Sequence, residues 1–153
     1  GAMGQCQFMP TSFLAYAADG DGDGKKNIWT NEADVFASAA NYLKTHGWKT
    51  NQAWGQRVVL SKILPPLKLS ERGLTGRKSV AEWKKIGIVA AKGGFKVADT
   101  EKARLYIPNG PSQTAYLVYN NFDTVLDWNR SSYFAFSANA LADAIAQRDG
   151  GML

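Results

Sequence analysis

Stretches of different hydrophobic period follow one another along the chain, and their order is the feature that most constrains the fold. Apolar side chains recur at helical spacing in residues 31–46, strand-like runs occupy residues 104–107 and 115–119, and residues 132–147 return to a helical pattern. Helices and strands that are segregated in this way are typical of α+β proteins. The sequence therefore predicts an α+β fold that is mainly helical, with a small β-containing insertion.

Local signals mark the ends of the predicted helices. Pro10 favours the start of a short helix, and Gly47 ends the helix that begins near Asn31. Ser79 and Glu82 have the spacing of a capping box, which predicts the start of a further short helix. The expected helices span about residues 10–18, 31–46, 79–87, 121–128 and 132–147.

Strands are expected in the middle of the chain. Residues 58–60, 104–107 and 115–119 are rich in β-branched and aromatic side chains, and a turn at residues 108–111 separates the last two runs. The helical spacing elsewhere points several apolar side chains towards a core. In the first two helices and the last they are Phe13, Leu14 and Tyr16; Val35, Phe36, Ala39, Ala40, Tyr42 and Leu43; and Phe136, Ala140, Leu141, Ala144 and Ile145 on one face of the last helix.

Composition and charge exclude several classes of protein. A chain of 153 residues with 45% hydrophobic residues suits one soluble globular unit, and no apolar run approaches the roughly 18 residues of a membrane span. Cys6 is the single cysteine, so an internal disulfide is excluded. The net charge of +5 is spread over scattered lysines and arginines. We therefore expect a solvated basic surface and no nucleic-acid partner.

An acidic loop carries the most specific chemical signal that the residues give by themselves. Positions 1, 3, 5, 6 and 9 of an EF-hand loop are matched by Asp19, Asp21, Asp23, Gly24 and Asn27. Lys25 stands at position 7, which contributes a backbone carbonyl. Carboxylate oxygens at this spacing converge on a hard cation. The loop therefore predicts a Ca²⁺ site with a structural role.

The end of the loop departs from the EF-hand pattern. Position 12 holds Thr30 where the bidentate glutamate is usual, so an elongated loop would have to be closed by Asp34 or Glu32. The other interpretation is a metal-free turn rich in Asp and Gly that is capped by the following helix.

Five sequence blocks, one of which includes the acidic loop, are spread over nearly the whole chain. The first is Gly1-Ala-Met-Gly-Gln-Cys-Gln-Phe-Met-Pro-Thr-Ser-Phe13, and the second is Asp19-Gly-Asp-Gly-Asp-Gly24 followed by Ile28-Trp29. The others are Ala39-Ala-Asn-Tyr-Leu43 with Gly47-Trp48; Ser79-Val-Ala-Glu-Trp83 with Ile86-Gly87; and Ala115-Tyr-Leu-Val-Tyr119, Asn121-Phe122 and Trp128-Asn-Arg-Ser131. In this order the blocks resemble the B-type lytic murein transglycosylases, glycoside hydrolase family 103.

The resemblance implies both a fold and an activity. Residues 1–48, with the EF-hand-like loop at 19–34, and residues 121–153 would be the helical part of a lysozyme-like domain, and residues 49–120 a small mixed α/β subdomain. The family cleaves the MurNAc-β-1,4-GlcNAc bond of peptidoglycan without water and leaves 1,6-anhydroMurNAc ends. Its catalytic glutamate lies upstream of the Gly-Ala-Met-Gly motif. We therefore expect a C-terminal fragment with no catalytic residue, inactive alone.

The resemblance also implies the residues of a site. Six side chains would line the saccharide groove, namely Gln7, Phe8, Tyr42, Trp128, Asn129 and Phe134. Amides can donate to and accept from sugar hydroxyls, and aromatic rings suit the apolar faces of sugars. For Tyr42 and Phe134, core packing is an equally good interpretation. In the calcium loop, the resemblance favours Asp34 as the closing ligand.

The expected partners are peptidoglycan glycan strands in the periplasm, where the parent protein would be free or attached to the outer membrane. A fragment that lacks core helices would expose apolar surface, which favours self-association. The competing hypothesis is a non-catalytic peptidoglycan-binding module that is stabilised by calcium.

Overall fold

In the computed structural model the chain divides into two compact units, Gly1–Trp48 and Lys49–Leu153. The structure describes residues 1–60, 66–108 and 114–149. For residue 149 it describes the backbone alone. The helices in this part are α1 (Pro10–Tyr16), α2 (Glu32–Thr45), α3 (Val80–Lys85), α4 (Asn120–Trp128) and α5 (Ser132–Asp149). The strands are β1 (Gly55–Leu60), β2 (Lys78–Ser79), β3 (Ile88–Ala90), β4 (Lys102–Tyr106) and β5 (Ala115–Val118).

All five predicted helices are confirmed within a few residues, as are the strands β1, β4 and β5. The mixed helix and strand content agrees with the predicted class in this coarse sense. The predicted turn at 108–111 falls for the most part outside the described residues. Among the helices that the structure describes, none has the length and apolar character needed to cross a lipid bilayer.

Polar contacts to α2 hold the two ends of the acidic loop in the first unit. The side chain of Asn31 caps this helix by accepting from the backbone N–H of Asp34, among others. The backbone N–H of Ala18, just after α1, donates to the buried Ser38 Oγ at 2.9 Å. These contacts fix both ends of the acidic loop, which connects α1 to α2.

The second unit contains an antiparallel sheet with the strand order β2-β4-β5-β1-β3. Central strand β5 places Leu117 opposite Leu105 on β4 and Gln56 on β1. Both edge strands are short, since β2 has two residues and β3 has three. The sequence pattern missed these edges because so few residues cannot display an alternating period.

One face of the sheet carries the core of the second unit. Helix α3, which opens with the predicted capping box, places Trp83 in this core. The Trp83 indole is fully buried, and its Nε1 donates to the carbonyl of Ala103 on β4 at 3.0 Å. Leu105 and Leu117, also fully buried, belong to the same cluster.

Helix α5 is anchored by one ring of its predicted apolar face. The ring centroid of Phe136 lies 4.7 Å from that of Tyr116, 5.6 Å from that of Trp54 and 5.8 Å from that of Tyr106. The rest of this face is not in a core, because Leu141 and Ile145 remain 61% and 53% exposed.

The prediction of core positions was also wrong for two side chains of the first unit. Leu14 is 80% exposed and Phe36 is 69% exposed. Helical spacing identifies which residues share a face, but it does not identify what covers that face.

The predicted grouping of residues 121–153 with residues 1–48 stays a prediction. Within the second unit, α4 and α5 pack on each other, and Tyr106 of the sheet packs on Phe122 of α4 with ring centroids 5.6 Å apart.

Candidate functional site

A tight turn at residues 3–8 forms the first candidate segment. Met3 and Phe8 pair as an isolated antiparallel bridge, and the backbone N–H of Gln5 donates to the carbonyl of Ile28 at 2.8 Å. Gly4 has a φ of +61°, and a Cβ at this position would lie 2.6 Å from both Cγ1 and the carbonyl oxygen of Ile28. The close approach of the two segments therefore requires glycine.

This turn presents Gln7 to solvent while its neighbours point inwards. Cys6 and Phe8 are 5% and 3% exposed, whereas the Gln7 side chain is exposed. Gln7 has a φ of +50°, a left-handed conformation that costs free energy for a residue with a Cβ. Its Nε2 donates to the carbonyl of Gly4 at 2.8 Å. Exposure on a strained turn, rather than burial, makes this amide accessible to a ligand.

Phe8 and Tyr42 belong to an aromatic cluster inside the first unit. Their ring centroids lie 5.8 Å apart, Tyr16 packs edge-on against Tyr42 at 4.8 Å, and the His46 ring stacks on Tyr42 at 3.9 Å. Tyr42 is only 9% exposed. Within this unit both Phe8 and Tyr42 are interior side chains, and their contact with sugar stays a prediction.

The acidic loop brings three carboxylates together. Asp19, Asp21 and Asp34 each offer an oxygen that lies within 4.8 Å of the others. Asp34 is fully buried, although Glu32 on the same helical turn is exposed. The structure therefore groups Asp34 with the loop, and Glu32 stands outside the cluster of acids found among the described residues.

Backbone donors hold the buried carboxylate of Asp34 in place. Its Oδ1 accepts from the N–H of Gly20 at 2.7 Å and its Oδ2 accepts from the N–H of Asn27 at 2.6 Å. Asp23 is held differently, because its Oδ1 accepts from the N–H of Lys25 at 2.8 Å. Of the five predicted metal ligands, Asp23 and Lys25 thus lie on the loop but outside the three-carboxylate cluster.

The other two carboxylates of the cluster are also oriented. Asp19 accepts from the N–H groups of Gly24 and Gly22 at 2.8 and 2.7 Å, and these bonds hold its pKa below the usual value. The Asn31 amide donates to Asp21 Oδ2 at 2.7 Å. Oriented carboxylate oxygens are the ligands that Ca²⁺ prefers, so this donor set fits a calcium ion.

The remaining predicted groove residues are close in sequence in the second unit, at the end of α4 and in the first turn of α5. Trp128 is the last residue of the helix and is half-buried. Asn129 ends the helix with an extended backbone, and its Oδ1 accepts from the N–H of Ser131 at 3.0 Å. Phe134 is 42% exposed, and the neighbouring Tyr133 hydroxyl donates to the carbonyl of Pro108 at 2.9 Å.

The described carboxyl groups differ sharply in their affinity for a proton. Hydrogen bonds from Ser79 lower the pKa of Glu82 to about 2. A hydrogen bond from Lys49 also lowers the pKa of Glu101. Where a shift is resolved among the described carboxyls, only the pKa of Asp123 is raised, by burial.

Asp123 nevertheless has the wrong surroundings for a proton donor. Its carboxylate oxygens lie 2.6 Å from Arg77 Nη2 and 3.3 Å from Arg104 Nε. Both guanidinium groups favour the ionised form and so oppose the effect of burial on the pKa of Asp123. A general acid must be protonated when it meets the leaving group, and two fixed cations beside it work against that state.

Sequence reasoning missed a pocket that surrounds this ion pair. The pocket has a volume of about 640 Å³ and lies between residues 70–77, strand β4 and residues 123–130. Arg72, Arg77, Arg104 and Arg130 all line it. No motif marks these arginines, because the fold brings them together from three separate segments of the chain.

Comparisons with known proteins agree with one another. The family model described as "Transglycosylase SLT domain" matches residues 1–143. The chain is 31% identical over 147 residues to membrane-bound lytic murein transglycosylase B of Escherichia coli (strain K12), which covers 95% of this chain and 38% of that protein.

Two solved structures extend the comparison. SltB3 from Pseudomonas aeruginosa, in complex with NAG-anhNAM-pentapeptide, is 42% identical with a TM-score of 0.84, over 94% of this chain and 38% of that one. The Escherichia coli lytic transglycosylase SLT35 in complex with calcium is 26% identical with a TM-score of 0.76, over 97% of this chain and 45% of that one. The chain thus spans less than half the length of each of these relatives.

Proposed function

Because this chain belongs to the transglycosylase SLT domain family, we propose that it functions in a lytic transglycosylase of the bacterial cell wall. The observation that carries the proposal is the match to SltB3, whose bound ligand contains an anhydro sugar. In the proposed reaction the MurNAc C1–O bond breaks and the leaving oxygen of GlcNAc takes a proton from a carboxylic acid. The MurNAc 6-hydroxyl then bonds to C1 and returns its proton to the carboxylate, which leaves a 1,6-anhydroMurNAc end.

In this proposal the chain contributes part of the saccharide groove. Gln7 is the strongest candidate in the first unit, because it is exposed and held on a strained turn. Asn129 and the partly exposed Phe134 are the strongest in the second unit. Tyr42 and Phe8 would act mainly by supporting the turn from beneath, since both rings are buried.

We further propose that no carboxyl group of this chain is the general acid. Glu82 and Glu101 have lowered pKa values, which suits permanently ionised groups. Asp123 has a raised pKa but is held between two arginines. Asp34 is fully buried, so a saccharide cannot reach its carboxylate.

The acidic loop would hold a structural Ca²⁺ ion through Asp19, Asp21 and Asp34, with Asp23 and the carbonyl of Lys25 as the further loop ligands. The carboxylate cluster and the calcium-bound SLT35 relative support this assignment. The ion would join the α1–α2 connection to the start of α2, and would take no part in the chemistry.

The proposed location is the periplasm, on glycan strands, with the parent protein free or attached to the outer membrane. The Escherichia coli relative is membrane-bound. Self-association of this chain is also proposed, because Leu14, Phe36, Leu141 and Ile145 expose more than half of their surface. The second candidate function is a calcium-stabilised peptidoglycan-binding module without catalysis, which the lowered pKa values of Asp19, Glu82 and Glu101 would suit.

Product analysis tests the proposal. The chain is incubated with purified peptidoglycan beside the Escherichia coli relative, and 1,6-anhydroMurNAc products are sought by mass spectrometry. We expect products from the relative and none from the chain alone. Products from the chain that disappear in Asp123→Asn would show that the assignment of the acid is wrong.

A binding assay separates the groove from the chemistry. Gln7→Ala is compared with Gln5→Ala for retention on peptide-free glycan strands. Gln5 is a matched control because it is an exposed glutamine on the same turn, with its Nε2 bonded to the carbonyl of Trp29 at 3.1 Å. Retention should fall in Gln7→Ala only. Equal retention of both variants and the unmodified chain would contradict the role of Gln7.

A further inference from the structure

The pocket around Asp123 has the size of a small-molecule site. Its volume of about 640 Å³ falls within the roughly 300–1,000 Å³ that is usual for ligand sites. Leu74 and Leu126 supply apolar lining, and four arginines supply donors. The pocket lies within the second unit.

Two of the four arginines in the pocket form ion pairs with Asp123, and the other two do not. Arg77 and Arg104 both pair with the carboxylate of Asp123. The buried Nε of Arg104 lies 3.3 Å from an oxygen of this carboxylate but forms no hydrogen bond. Arg72 and Arg130 form no ion pair within the part of the chain that the structure describes. Each guanidinium carries five N–H donors, so the pocket has donors beyond those that Asp123 uses.

The net charge of the residues that line the pocket limits what it can bind. Besides Asp123, two further carboxylates line it, those of Glu71 and Asp127. Four arginines against three acids leave a small excess of positive charge, which suits one singly charged anion. A phosphodiester chain requires a longer basic surface with many phosphate contacts.

The pocket adjoins the predicted groove. Asp127 and Arg130 line the pocket, and they flank Trp128 and Asn129 directly in sequence. A sugar on Asn129 would therefore lie beside residues whose nearest neighbours along the chain line the pocket, and the inference takes one of its substituents to extend into it. In peptidoglycan that substituent is a peptide, which carries carboxylates, and the ligand bound to SltB3 includes a pentapeptide.

We propose that the arginine pocket binds the terminal carboxylate of the peptide stem, with Arg72 and Arg130 as the principal donors. Guanidinium groups pair with carboxylates through two parallel hydrogen bonds, which gives geometric selectivity as well as attraction. The inference rests on the proposed function, because it takes peptidoglycan as the substrate. The second unit would then bind the peptide stems of the cell wall as well as its glycan strands.

Calorimetric titration of the whole chain tests this inference with four probes. They are the acetylated pentapeptide with a free terminal carboxylate, the same peptide as its terminal amide, inorganic phosphate, and the peptide-free disaccharide GlcNAc-anhydroMurNAc. The variants are Arg130→Gln, Arg72→Gln and the charge-retaining Arg130→Lys. Arg148→Gln is the matched control, because Arg148 is exposed in the last turn of α5 and does not line the pocket.

The free-acid peptide should bind, and each Arg→Gln variant should weaken it about tenfold or more, as expected for the loss of a charge-assisted hydrogen bond. Arg130→Lys should fall between, and Arg148→Gln should bind like the unmodified chain. The inference is overturned if the amide or phosphate binds as well as the free acid, if no peptide binds, or if Arg148→Gln loses as much as Arg130→Gln. If the disaccharide binds but no peptide does, the inference is overturned and the proposed function stands. If neither the disaccharide nor any peptide binds, both the inference and the proposed function are overturned.

Discussion

Replacement of Asp34 should destabilise the first unit by a large and specific amount. The Asp34 carboxylate is fully buried and accepts two backbone hydrogen bonds, at 2.7 Å from Gly20 and 2.6 Å from Asn27. A hydrogen bond to a charged group contributes about 1.5–3 kcal/mol. Asp34→Ala removes both acceptors, so the free energy of unfolding should fall by about 3–6 kcal/mol. Asp34→Asn keeps one carbonyl acceptor and should lose about half as much.

Glu32→Gln is the matched control for this experiment. Glu32 lies on the same first turn of α2 but is exposed. Its replacement removes only a favourable interaction with the helix dipole, which is worth about 0.3–1 kcal/mol. Urea unfolding followed by far-ultraviolet circular dichroism measures these differences. Amide hydrogen exchange at Gly20 and Asn27 shows whether the two backbone donors have lost their acceptor.

The same variants identify the ligand that closes the calcium loop. A ligand at a hundredfold excess over its Kd stabilises the folded state by about 2.7 kcal/mol. We expect Ca²⁺ to stabilise the unmodified chain and Glu32→Gln relative to EDTA, and to leave Asp34→Asn nearly unchanged. The reasoning is refuted if Asp34→Ala is no less stable than Glu32→Gln, or if Asp34→Asn keeps the full response to calcium.

Three further substitutions test other parts of the chain. Gly4→Ala should destabilise it by about 1–3 kcal/mol in thermal unfolding, because the new Cβ meets Ile28 at 2.6 Å and φ is +61°; an unchanged midpoint would contradict this. Ser79→Ala should lower the free energy of unfolding by about 0.5–2 kcal/mol through the lost helix cap. Because folding lowers the pKa of Glu82 from 4.5 to about 2, the contribution of the capping box should be present above pH 4.5 and lost as the pH falls towards 2. A difference in stability between the variant and the unmodified chain that stays constant over this pH range would contradict the prediction. Gln7→Gly should leave stability within about 1 kcal/mol, because relief of the φ of +50° offsets the added entropy of the unfolded chain, yet weaken glycan retention; a strong loss of stability would argue against strain at this turn.

Features that depend on neighbouring residues could be predicted from the sequence. Ser79 and Glu82 are three residues apart, and their capping box follows from local chemistry alone. The order of the motifs was likewise sufficient to predict the family, which the match over residues 1–143 confirms. The EF-hand spacing placed Asp19 and Asp21 in one cluster, although it left Asp34 and Glu32 as alternatives.

Features that depend on distant pairing could not be predicted in the same way. Strand β2 exists because Lys78 and Ser79 pair with Ala103 and Lys102. A hydrophobic pattern within residues 78–79 cannot predict this pairing. The arginine pocket likewise joins segments that begin at residue 70 and end at residue 130. Asp34 is buried and Glu32 is exposed, a difference that depends on how the loop folds over α2 rather than on the loop sequence. Closure of the calcium loop by Asp34 stays a prediction.

The short edge strands have a consequence for how copies of this chain can meet. A strand from a second molecule that added to β2 or β3 would find only two or three residues with which to pair. Few intermolecular backbone hydrogen bonds would form, so growth of a continuous sheet from either edge is disfavoured. The self-association proposed above would therefore use exposed side chains on the helices, such as Leu14 and Leu141, and could reverse without remodelling the sheet.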